Sequence, residues 1–99
     1  MITASSVAPV LAEHRAEIDR LDLQLLELLD QRMQTCIEIA KIKRDNDIPM
    51  MAPDRLKLVQ DRCRSFADER GIDRDYLANL FSLITAESCR VEDRIIGTP

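Results

Sequence analysis

Apolar residues recur through the first half of the chain at helical spacing, and charges interrupt them at regular intervals. Counted in sevens from Leu11, one series reads Leu11, Ile18, Leu25, Arg32, Ile39. A companion series, four residues on, reads Arg15, Asp22, Leu29, Cys36, Lys43. Series interleaved in this way lie along one seam of a long helix. In the first series only Arg32 is polar. A seam that buries leucines yet carries Arg15, Asp22, Arg32 and Lys43 makes a poor zipper. Buried charges persist only when paired, so the pattern suits the wall of a site for an anionic ligand.

Neither Gly nor Pro occurs from Val10 to Ile48. The predicted first helix starts near Val7 to Leu11 and runs to about Asp45, behind a small, polar Met1–Pro9 segment expected to fray. At about 1.5 Å per residue such a helix exceeds roughly 50 Å, wider than one globule of this size, so its seam calls for cover from another chain. Asp45-Asn46-Asp47-Ile48-Pro49 is a turn sequence that ends it. A loop through Met50, Met51 and Ala52 leads to Pro53, just ahead of a second helix over Asp54 to Glu69. There Leu56, Val59, Cys63, Phe66 and Ala67 have helical spacing. Gly71 is a natural stop and Asp73 a natural cap for a third helix, Arg74 to about Ile96. That helix carries Leu77, Leu80, Phe81, Ile84, Ser88, Val91 and Ile95 on one side. The expectation is a single all-α domain over residues 1–99, with three helices and no repeat, paired as a dimer.

Composition narrows the class. The chain has 99 residues and a formal net charge of −4, which disfavours nucleic acid and anionic membranes as partners. It shows no signal-peptide pattern and no apolar run long enough to span a bilayer. Three cysteines, an odd number set inside helical patterns, read as reduced thiols of a cytoplasmic protein. With His14 the sole histidine, no metal site is expected.

Candidate chemistry concentrates on cations. Arg32 and Lys43 stand eleven residues apart, close to three turns, and so share a face with Cα atoms about 16 Å apart. Two long side chains leaning inward can grip a small ligand, Arg by a bidentate carboxylate pair and Lys as a point charge. Arg15 lies about 25 Å from Arg32 along the axis, within reach only of a partner's pocket. The plainer reading, ordinary solvated or paired helix cations, is the commoner one for these residue types. On the third helix Thr85, Ser88 and Glu92 form a polar strip with Glu87 nearby, either a hydrogen-bonding wall or a solvated face. Asp54 and Arg55 read first as a helix N-terminus and second, for Arg55, as a ligand contact. Methionines and cysteines read as packing. No nucleophile–His pair, general-base pair or phosphate loop is present.

In order and spacing these pieces resemble the small all-helical (AroQ-type) chorismate mutases. The resemblance runs from about Val10 to Ile96. It includes R-x-x-I-D-x-L-D at Arg15–Asp22, L-L-x-x-R at Leu28–Arg32 and the paired lysines Lys41 and Lys43. Farther on come Asp54-Arg55, Y-x-x-x-L-F-x-x-I from Tyr76 to Ile84, and Glu87-Ser88. It implies an intertwined homodimer whose two pockets each draw on both chains. The implied reaction is the rearrangement of chorismate to prephenate, a unimolecular pericyclic step needing no cofactor. In that setting Arg32 and the other chain's Arg15 hold the carboxylates of a dianion, and Arg55 assists. Lys43 donates to the ether oxygen as it gathers charge, while Ser88 and Glu92 line the pocket.

Three departures qualify the match. Glu92 stands where the family usually has a glutamine, and a carboxylic acid there donates to the ether oxygen only when protonated, so either its pKa would have to be raised or activity would favour acid pH. Ala52 replaces the familiar loop acid, and Leu56 replaces the Glu that often follows Asp-Arg. Those acids ordinarily read the C4 hydroxyl. The loop from Ile48 to Arg55 also resembles 4-amino-4-deoxychorismate mutases, which rearrange the amino analogue, and isochorismate pyruvate lyases, which form salicylate. The expectation is therefore a mutase acting on chorismate or its amino analogue, in a cytoplasmic homodimer that some relatives supplement with an activating partner. The alternatives are the lyase and a non-catalytic helical interaction or regulatory dimer.

Overall fold

A computed structural model describes residues 4–49 and 53–97, with side chains described for residues 8–49 and 54–97. The described residues form three helices and no strand: α1 Ala4–Asp45, α2 Pro53–Arg70 and α3 Arg74–Ile96. The all-α, three-helix chain expected from the apolar periodicity is the fold observed. Its first helix starts earlier than expected. From Ala4 onward the segment predicted to fray is helical, and Pro9 lies inside α1. Near a helix end, the missing proline N–H costs one ladder bond without stopping the helix.

Each helix terminates for a local reason. After α1, Asp47 adopts positive φ (53°). The Ile48 amide then donates to the Lys43 carbonyl at 2.9 Å and Asn46 to that of Ile42 at 3.1 Å. Left-handed Asp is tolerated there because its short polar side chain suits such turns. Gly71 (φ 69°) ends α2 in the same way, with Ile72 N–H donating to the Ala67 carbonyl at 3.0 Å. Pro53 opens α2 where a missing N–H is harmless. Asp73 caps α3, its carboxylate accepting from the Tyr76 amide at 2.8 Å.

Two compact units divide the chain, Met1–Gln34 and Thr35–Pro99. The first is the leading part of α1. Its Leu11 is 42% exposed, Ile18 56% and Leu25 54%, and Leu21 and Leu28 are exposed too. In the second, α2 packs on α3. Gln60 donates to Ser82 Oγ at 3.3 Å, and Asp68 pairs with Arg74 at 3.3 Å. Among the described residues the buried apolar ones are small: Ala40, Cys63, Ala67 and Ala78. Small side chains let helix backbones approach closely, but they leave the larger apolar residues only half covered. An open apolar groove of about 300 Å³ runs along Val59, Cys63, Phe66, Leu77 and Phe81.

Candidate active site

Among the described residues of the second unit, charge is buried at one place. Lys43 leaves the last turn of α1, where a cation complements the helix dipole. Its Nζ lies 3.4 Å from Glu92 Oε1 of α3, with the two side chains only 20% and 11% exposed. Buried at this depth, the pair attracts several times more strongly than in bulk water. Desolvation offsets most of that gain, so the pair contributes little net stability, whereas removing one partner is costly.

One turn ahead of Glu92 on the same helix, Ser88 is also buried, and its hydroxyl donates to the Ile84 carbonyl at 3.0 Å. Among the described residues these two are the buried polar ones. Thr85 completes the strip, and its Oγ1 is buried with no hydrogen-bond partner. Glu87 points to another role: it is exposed and paired with Arg90, which holds its carboxyl below the usual carboxylate range. The polar strip is therefore a buried wall at Thr85, Ser88 and Glu92, with Glu87 outside it.

The thiols sit beside this wall. Cys36 and Cys89 are half-buried, and neither is in a disulfide. Burial pushes the Cys89 thiol up, helped by the Glu92 and Asp93 carboxylates and opposed by Lys43. A thiol held neutral is a poor nucleophile, in keeping with packing. Sequence spacing marks Cys89 as a neighbour of Glu92 at i, i+3, yet nothing in the sequence tells that this side of α3 is the buried one.

The remaining candidates are distributed more widely. Arg55 and Leu56 are exposed on the first turns of α2, Leu56 at 39%. Arg15 is exposed and Arg32 half-buried on the leading part of α1. Ala52 lies outside the described residues. No cluster of His, Cys, Asp and Glu among the described residues could hold a metal ion. None of the described helices is long and apolar enough to cross a membrane.

A cation, a carboxyl and hydroxyls brought together in this way can bind an anion and stabilise charge developing on an oxygen. Comparison with known proteins identifies the setting. Residues 14–93 match the family Chorismate mutase type II. A 4-amino-4-deoxychorismate mutase of Streptomyces venezuelae is 42% identical over 83 residues, covering 84% of this chain and 81% of the relative. Its counterpart from Streptomyces pristinaespiralis is 36% identical over 84 residues, 85% of this chain and 65% of the relative. A chorismate mutase of Methanocaldococcus jannaschii is 32% identical over 74 residues, 75% of each chain. With the match spanning most of its length, the chain belongs to the chorismate mutase type II family.

Proposed function

We propose that this protein catalyses the Claisen rearrangement of a chorismate-type dianion, with 4-amino-4-deoxychorismate preferred over chorismate. The observation that carries the reading is the buried Lys43–Glu92 pair in a member of this family. As the ether C–O bond breaks and the new C–C bond forms, the oxygen gathers negative charge within one molecule, and no proton or co-reactant is required. Lys43, fixed before the substrate arrives, lowers the energy of that charge without reorganising. Glu92 anchors Lys43 and, once protonated, adds a second donor to the same oxygen. Arg32 holds one substrate carboxylate and Arg55 assists. Two relatives named for the amino substrate exceed 35% identity, which favours that analogue. So does the chain's Ala52 and Leu56 where acids usually read the hydroxyl.

The same reading makes the chain one functional domain that works as an intertwined homodimer in the cytoplasm. Each pocket borrows the other chain's Arg15, and the exposed Leu11, Ile18 and Leu25 are covered by the second copy. The decisive experiment mixes the purified protein separately with chorismate, 4-amino-4-deoxychorismate and isochorismate and identifies products by chromatography. Rearranged product from the amino compound, faster than prephenate from chorismate, supports the proposal. Salicylate from isochorismate alone replaces it with the lyase. No turnover of any of the three leaves a non-catalytic helical dimer or a subunit awaiting an activating partner.

A further inference from the structure

Two opposite charges stand in apolar settings, one in each unit of the chain. Asp22 interrupts the α1 seam between Ile18 and Leu25, which are 56% and 54% exposed. The residues three and four positions from it are Ile18, Asp19, Leu25 and Leu26, so its own helix offers it no cation. Among the described residues, Arg62 is the charged side chain that lines the groove of Val59, Cys63, Phe66, Leu77 and Phe81. Its neighbours at the same spacings, Leu58, Val59, Ser65 and Phe66, include no acid, and the adjacent Asp61 pairs with Arg64 at 3.7 Å. Neither Asp22 nor Arg62 has an ion pair or side-chain hydrogen bond among the described residues.

We propose that this groove receives the α1 seam of a second copy of the chain, with Asp22 of one copy paired to Arg62 of the other. The inference rests on the homodimer proposed above and adds where the second copy docks and what fixes it there. An amphipathic helix laid into an apolar groove is a common mode of recognition, and large exposed apolar stripes mark such contacts. The chain itself carries a helix of that kind with its seam exposed. The lengths agree: Ile18 to Leu25 and Val59 to Phe66 each span seven residues, a rise of about 10.5 Å. So do the charges. A carboxylate laid on apolar residues alone would be left uncompensated, and a purely apolar occupant would leave Arg62 unpaired. A slip of two turns sets Arg15 opposite Arg62, like against like, so the pair also fixes the register. In a two-fold dimer the contact occurs twice.

Sedimentation equilibrium of the full-length protein tests this with Asp22→Arg, Arg62→Asp and the two combined. Each single reversal sets like charges face to face and should raise the dimer dissociation constant by about tenfold or more. The double variant restores opposite charges and should return to within about threefold of the wild type. Circular dichroism follows the helices. A single variant that unfolds is read through the double, whose recovery supports the pairing and whose failure to recover overturns it. Wild-type affinity in either single variant, or weakened affinity that the double does not restore, overturns the inference and leaves both the dimer and the rearrangement activity in place. Wild-type protein that sediments as a monomer where it is active overturns the inference and the homodimer together, and leaves the groove to a partner of another kind.

Discussion

Lys43 and Glu92, 49 positions apart in sequence, meet at 3.4 Å and tie the last turn of α1 to α3. Both side chains are largely shielded from solvent, and each is an ion-pair partner of the other. Substitution at either end should consequently disturb both chemistry and fold, in separable proportions.

Lys43→Ala removes the cation proposed to meet the developing oxyanion. kcat should fall by about a hundredfold to a thousandfold, the usual loss when one preorganised donor is deleted. Circular dichroism should show the helices retained, with some loss of Tm because Glu92 then lacks its partner. Near-wild-type turnover in steady-state assays would take Lys43 out of the mechanism.

Glu92→Gln supplies a permanent donor where the acid donates only when protonated. Its kcat at neutral pH should exceed that of the wild type, and its rate should vary less between acid and neutral pH. Rate–pH profiles of the two proteins provide the check, and superimposable profiles would show that Glu92 does not limit the rate.

Arg15→Ala and Arg32→Ala, each inactive alone, should recover activity when mixed. Random exchange makes half the dimers mixed and leaves one intact pocket in each, so about a quarter of the wild-type rate should return. Exchange is verified by mass spectrometry of differently labelled chains. Absence of recovery despite exchange would argue against pockets shared between chains.

Cys89 gives a pH signature in stability. Its thiol holds a proton more tightly folded than unfolded, because burial and neighbouring carboxylates disfavour the thiolate. Between the ordinary thiol value and the raised folded one the native state binds more protons, so stability falls as pH rises through that window. Urea midpoints measured from neutral to strongly alkaline pH should show this decline, and Cys89→Ala should reduce its slope.

Ala67 is fully buried. Ala67→Leu should lower stability by about 1–3 kcal/mol, because extra methylenes have no room in a close helix contact. Urea denaturation measures it.

Much of this was legible from residues. Gly71 and Asp73 have backbone roles that few other residues fill, so the α2–α3 connection could be placed almost to the residue. The start of α1 was not, since an Ala-Ser-Ser-Val segment carries neither a strong cap nor a periodic apolar signal. Charge in an apolar seam pointed to Lys43. Its partner could be assigned only through the family resemblance, because spacing along one helix says nothing about which residue of another it meets. Thr85 stood in a polar strip that fitted a solvated face equally well. What distinguishes it is a hydroxyl that forgoes its own backbone, and no sequence pattern records a bond that is not made.

The leucines of the leading part of α1 have a practical consequence. In the proposed dimer that greasy surface lies against the second copy, so folding and pairing become one equilibrium, and the number of molecules in a given volume enters the melting curve. Dilution should then act on this protein much as a mild denaturant does, and assays at nanomolar and micromolar protein would be sampling different species.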